Sequence, residues 1–129
     1  MSTSNYKSIA NKIKFEGRAF INGKYVDAID GNKFKTINPA TGDTLCEVAK
    51  CNIKDVDLAV EVSRKAFNSG VWSRTSPEFR KDILLKFAEL LRLHGEENSV
   101  LECLDTGKLI IDCINEVAND APMHFQWYG

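Results

Sequence analysis

Four cysteines, Cys46, Cys51, Cys103 and Cys113, and two histidines, His94 and His124, are the side chains of this sequence best suited to nucleophilic or metal chemistry. A cysteine attacks a carbonyl as its thiolate, which needs a nearby base or cationic group to hold it ionised. Zinc needs ligands in closely spaced pairs. Here the cysteines lie five positions apart at 46 and 51 and ten apart at 103 and 113, which matches no zinc pattern. Each reads instead as a small buried or half-buried hydrophobe: Cys46 in a strand, Cys51 just before a helix, Cys103 and Cys113 on or beside helices. His94 reads as a helix-end residue and His124 as an edge residue. The string "LDTGK" (104–108) invites a phosphate-loop reading but lacks the glycine pattern of one. A helix stop explains it: Gly107 takes the left-handed turn and Lys108 faces the helix dipole. No nucleophile–base pair is legible.

The elements that must position these residues change character along the chain. Residues 19–50 read as strand. "AFINGKYV" carries Asn22-Gly23 between apolar flanks, a hairpin signal, and "AIDGNKFKTI" repeats the device at Asp30-Gly31. In "NPATGD", Pro39 presets a turn, Gly42 permits positive φ, and Asn38 can bond its own backbone. Two or three short antiparallel strands are expected. Helical periodicity begins after Asn52, a capping residue with Asp55 in the first turn. Val56, Ala59, Val60, Ser63 and Phe67 share one face of this helix. Ser76-Pro77 starts a second helix whose buried face is Ile83, Leu84, Phe87, Leu90 and Leu91. A third follows, with Val100, Leu101 and Leu104 inward. The fourth meets Pro122, which predicts a kink or a restart capped by Asp120.

The totals exclude several classes. A chain of 129 residues is one domain or a piece of one. Its net charge of −1, with interleaved signs, argues against nucleic acid. Residues 1–18 contain no apolar run long enough for a signal peptide or a membrane span, and read as a flexible leader in which "SIANKIKF" could form one loose turn of helix. Without a secretory signal the thiols are expected reduced, in the cytoplasm. About four helices follow a small β unit with no returning strand, so apolar helix faces outnumber the sheet available to cover them. An incomplete chain is expected.

The phrases "FKTINPATGDTLCEVA", "DVDLAVEVSRKAF", "WSRTSPEFRKDILLKFAELL" and "LECLDTGKLI" occur in this order. Together they resemble the start of the NAD(P)-dependent aldehyde dehydrogenase family, from about Phe20 to Tyr128. "WSRTSPEFRK" and the closing "WYG" are most similar to the members that oxidise aminoaldehydes, in particular γ-glutamyl-γ-aminobutyraldehyde in putrescine breakdown. The resemblance implies an α/β enzyme with a Rossmann-like cofactor domain, a catalytic domain and a β arm. This chain would be an α+β fragment of it, residues 19–129 forming the first, incomplete part of the cofactor domain. The family's chemistry needs a cysteine nucleophile, oxyanion donors, a nicotinamide and a carboxylate that activates water. All of these lie beyond the matching segment, so the resemblance places no catalytic and no cofactor-binding residue here. It does place a monovalent cation site, K+ or Na+, with the backbone carbonyls of Thr36 and Ile37 and the carboxylate of Asp105 among the ligands. The competing reading of Asp105 is a bond to neighbouring backbone or side chain. Two departures stand out: Leu109 where many relatives have proline, and Pro122 where relatives continue a helix.

The expected function is therefore the N-terminal part of an aldehyde dehydrogenase, inactive alone, with NAD or NADP held only by an intact member. The aldehyde would be a substrate only of the full-length form. The alternative is a non-catalytic module that docks on a full-length relative through its apolar helix faces. A homo-oligomer is also compatible, whereas a membrane partner is not expected. A small independent enzyme is disfavoured for lack of a nucleophile–base pair.

Overall fold

A computed structural model describes residues 3–129. The chain divides into two compact units. One contains residues up to Lys14, the loop Asn38–Asp43 and Ser76–Gly129; the other contains Phe15–Ile37 and Thr44–Thr75.

The second of these holds the strands. β1 (Ala19–Ile21) and β2 (Lys24–Val26) form an antiparallel hairpin. Asn22 and Gly23 both take positive φ, 53° and 74°, the geometry that matches the twist of paired strands. Opposite one another on the hairpin, Phe20 and Tyr25 meet edge to face with centroids 5.1 Å apart. Asp30-Gly31 also turns tightly, the Gly31 N–H donating to the Ala28 carbonyl at 2.8 Å. It does not close a hairpin, however: β3 (Lys33–Ile37) pairs with β4 (Thr44–Ala49) and not with β2, giving, among the described residues, four strands in two separate two-stranded sheets. The reason lies in side chains that capture the turn's backbone donors. Ile29 N–H goes to Asp55 Oδ1 at 2.8 Å, and Asn32 N–H goes to Asp30 Oδ1 at 3.0 Å.

α2 (Ile53–Ser69) starts where the sequence places it. Asn52 Oδ1 accepts from Lys54 N–H and Asp55 Oδ2 accepts from Asn52 N–H, a reciprocal cap that satisfies two donors the first turn would otherwise leave open. Gly70 ends the helix with φ 75°. The face carrying Val56, Val60 and Phe67 is apolar as expected but stands open; Phe67 is 67% exposed.

In the other unit the helices are α1 (Thr3–Ala10), α3 (Pro77–Leu93), α4 (Gly95–Thr106), α5 (Ile110–Cys113) and α6 (Ala121–Tyr128). α1 falls within the stretch expected to be a flexible leader. Eight residues make a marginal helix in water; this one lies on α4, with Tyr6 and Ala10 around a hollow shared with Val100, Leu104 and Ile110. Ser76 caps α3 by accepting from Phe79 N–H at 3.2 Å, with Pro77 at the first position. α3 runs antiparallel to α6: Phe87 and Phe125 rings stand 4.6 Å apart at 88°, Arg92 bonds Gln126 Oε1 at 2.6 Å, and Gly129 abuts Leu84. On α3 Ala88 is buried and Leu84 and Leu91 are half-buried, whereas Ile83, Phe87 and Leu90, expected inside, are exposed. Within α4, Val100 is buried and Leu104 half-buried as expected, whereas Leu101 lies outside.

Small residues make the core of this unit. Ala88, Gly95, Ser99, Val100, Cys113 and Pro122 are buried there, as is Asn38 of the loop. The expected cap at Asp120 is absent. Asp120 has helical φ and ψ and makes no capping bond, because the chain stays helical past it through a π-helical segment, Ile114–Asp120, that runs straight into α6.

Candidate functional site

Two of the family-like phrases meet in one place. "NPATGD" forms the loop Asn38–Asp43, built around a buried Asn38. The Asn38 side-chain oxygen accepts from Ala40 N–H at 2.9 Å, its N–H donates to the Asp43 carbonyl at 2.9 Å, and its own carbonyl accepts from Gly42 N–H at 2.8 Å. "LDTGK" forms the end of α4. Gly107 takes φ 74° and donates to the Cys103 carbonyl at 3.0 Å. A β-carbon on Gly107 would come within 2.7 Å of Pro39 Cγ, so this glycine serves the left-handed turn and the close approach of the loop at once.

Asp105, the proposed cation ligand, sits exposed in the last turn of α4. A carboxylate there opposes the negative end of the helix dipole, an arrangement that favours a neighbouring cation. Thr36 and Ile37 lie on β3, where the ladder changes register: Thr36 pairs with Cys46 but Ile37 pairs with Thr44. Such a bulge re-aims backbone groups. Thr36 and Ile37 are thus brought together in one unit, and Asp105 belongs to the other. Among the described residues no group of three or more His, Cys, Asp or Glu side chains could hold a metal ion.

The cysteines sit on the elements their sequence contexts suggest, but Cys51 is exposed where a buried or half-buried position is expected. Cys46 is half-buried on β4 and Cys51 is exposed before α2. The half-buried Cys103 thiol donates to the Lys108 carbonyl at 3.2 Å. Cys113 is fully buried, and burial pushes its thiol pKa up, which disfavours the thiolate that nucleophilic attack would need. His94 joins α3 to α4 and lies 3.8 Å from a Glu97 carboxylate oxygen; His124 is exposed on α6. Lys108 bonds Glu116 at 2.6 Å, with Glu102 at 3.7 Å, so its ammonium ties α4's end to the π-helical segment. That ion pair, with Glu116 the larger influence, raises the Lys108 pKa.

Sequence reasoning missed the carboxylate that matters most to the architecture. Asp55 is 3% exposed, and its second bond, to Ile29 N–H, reaches 26 residues back along the chain. The capping signal around Asn52 was visible; the distant donor was not. The close pass of Gly17 along β4 was likewise invisible in the sequence.

The aldehyde dehydrogenase family profile matches residues 25–129. The chain belongs to the aldehyde dehydrogenase family. It is 50% identical over 107 residues to aldehyde dehydrogenase 1 of Tanacetum cinerariifolium, covering 83% of this chain and 21% of that one. With the aminoacetaldehyde dehydrogenase of Pseudomonas aeruginosa it shares 44% identity over 129 residues, all of this chain and 26% of the relative. The crystal structure of γ-glutamyl-γ-aminobutyraldehyde dehydrogenase from Burkholderia cenocepacia matches with a TM-score of 0.94 at 38% identity, over 98% of this chain and 26% of that one. This aldehyde dehydrogenase chain therefore spans about a fifth to a quarter of the length of these relatives. Solved family members include NAD+ complexes, and the family uses NAD(P). No helix among the described residues is long and apolar enough to cross a membrane.

Proposed function

We propose that this region is the opening part of the cofactor domain of an NAD(P)-dependent aldehyde dehydrogenase, one that oxidises an aminoaldehyde to its carboxylic acid in the cytosol. The observation that carries the reading is near-complete structural coverage of this chain by γ-glutamyl-γ-aminobutyraldehyde dehydrogenase at TM-score 0.94. The names of this relative and of the aminoacetaldehyde dehydrogenase supply the substrate class. The region's part is structural: it supplies no nucleophile, oxyanion donor or water-activating base. The Cys103 thiol donates to the Lys108 carbonyl, and burial raises the pKa of the Cys113 thiol, which disfavours its thiolate. Free cysteines throughout fit a reducing compartment.

The test is direct. The purified 129-residue chain is expected to show no nicotinamide reduction with an aminoaldehyde, and no calorimetric heat with NAD+ or NADP+ at millimolar cofactor. Turnover, or a saturable binding isotherm, would refute the structural assignment. A chain that is inert alone but binds a full-length aldehyde dehydrogenase tightly would favour the docking module instead.

The cation reading of Thr36, Ile37 and Asp105 also stands as a proposal, for a longer protein containing this region. Replacing tetramethylammonium by potassium at equal ionic strength is expected to raise the melting temperature of such a protein, and Asp105→Ala to abolish the difference. In the 129-residue chain the swap is expected to have no effect. A potassium effect that survives Asp105→Ala would remove Asp105 from the ligand set.

A further inference from the structure

The π-helical segment Ile114–Asp120 is anchored at both ends. Before it, Cys113 is fully buried and its carbonyl lies 3.2 Å from Ser99 Oγ on α4. After it, α6 is held on α3 by the Phe87–Phe125 contact and the Arg92–Gln126 bond. Within it, the Ala121 N–H donates to the Glu116 carbonyl, five residues back and not four. Pro122 follows at once and is completely buried. In an ordinary α-helix its ring would clash with the carbonyl four residues earlier, that of Ala118, and would leave that carbonyl without a donor. A π turn is wider and moves this carbonyl aside. The widened turn has to go somewhere, and it presses on the first residue of α4. A β-carbon on Gly95 would lie 2.8 Å from Ala118 Cβ and 3.1 Å from Ala118 Cα.

We infer that Pro122, the π-helical segment and Gly95 form one register lock: Pro122 imposes the wide turn, and Gly95 leaves the room it occupies. In this arrangement Pro122 and Gly95 are positioning residues. The lock fixes which side chains of 114–117 face α4. A return to α-helical register would swing them by roughly 100°, the angle of one residue, and carry Glu116 away from Lys108. Gly95, with φ in the ordinary range, is then required by space and not by backbone freedom.

The experiment is a double-mutant cycle with Gly95→Ala and Pro122→Ala in the 129-residue chain, read by denaturant unfolding and by NMR couplings across hydrogen bonds. Gly95→Ala alone is expected to lower the folding equilibrium constant about tenfold or more, as overpacking does. In the Pro122→Ala background the same change is expected to cost less than about threefold, because the turn can narrow. The Ala121 amide should couple to the Glu116 carbonyl carbon in the parent and to that of Val117 in Pro122→Ala. Equal costs of Gly95→Ala in both backgrounds would overturn the lock. So would an Ala121 coupling to Val117 in the parent chain, a result that needs no variant to fold.

Discussion

Gly17→Ala is expected to cost about 3 kcal/mol of unfolding free energy, the upper range for overpacking a tight site. A β-carbon at this position would sit 2.0 Å from the Glu47 carbonyl oxygen and 3.3 Å from Val48 Cα. Both are backbone atoms of β4, so no side chain can swing away. Moving the strand would break the bond from Ala49 N–H to the Gly17 carbonyl, 2.7 Å long, and disturb the β3–β4 ladder on the other side. Gly23 provides the control. No atom lies within 4 Å of its would-be β-carbon, and only its positive φ of 74° resists substitution. Gly23→Ala should therefore cost about 1 kcal/mol, the usual left-handed penalty. Urea unfolding of the two variants measures both. A Gly17→Ala change no larger than that of Gly23→Ala would mean that the leader before β1 does not run against β4.

Asp55→Ala is the second change expected to be severe, at about 3 kcal/mol. Hydrogen bonds to a charged acceptor contribute roughly 1.5–3 kcal/mol each, and removing a buried acceptor leaves its donors without partners. Asp55 holds two: Ile29 N–H at 2.8 Å and Asn52 N–H at 2.8 Å. The first ties the 28–32 turn to α2, and the second closes the cap. Asp55→Asn should be milder, about 1–2 kcal/mol, since an amide can still accept one of these bonds but turns its NH2 towards the other N–H. Hydrogen exchange locates the loss. The Ile29 and Asn52 amides should lose protection together in Asp55→Ala, while amides in the middle of α3 keep theirs. A variant in which only Asn52 is deprotected would show that Asp55 acts as a cap alone.

These two positions show how legibility divides in this chain. Asn52 and Asp55 were readable as a helix start because a capping box is a matter of local spacing. Asp55 was not readable as the anchor of Ile29, because nothing local marks which distant donor a buried carboxylate meets. Gly17 lies in the stretch 1–18 that reads as a flexible leader, and nothing local marks its approach to β4. Asn22-Gly23 gave its hairpin away, since positive φ at both positions is a local demand met by those two residue types. Asp30-Gly31 carried a similar signal and made a turn without a hairpin, because Asp55 and Asp30 took the donors that pairing would have used. The proposed cation ligands came from phrases of sequence, and each phrase folds into a defined element: a bulge at Thr36 and Ile37, a glycine-stopped helix end beside Asp105.

The sequence by itself determined where α2 and α3 begin, where α2 and α4 stop, and which family's phrases the chain carries. Each of these depends on interactions within a few residues or on an ordered series of short motifs. Tertiary structure alone decided which apolar stripes are covered and how a buried proline is accommodated. Ile83 and Leu84 are neighbours of equal hydrophobicity, yet α6 with Gly129 half-buries one and leaves the other exposed. Pro122 looked like a helix break; the packing of α6 on α3 and the space left by Gly95 turned it into a π turn instead. Burial and register are set by what arrives from elsewhere in the chain, and local sequence does not encode the partner.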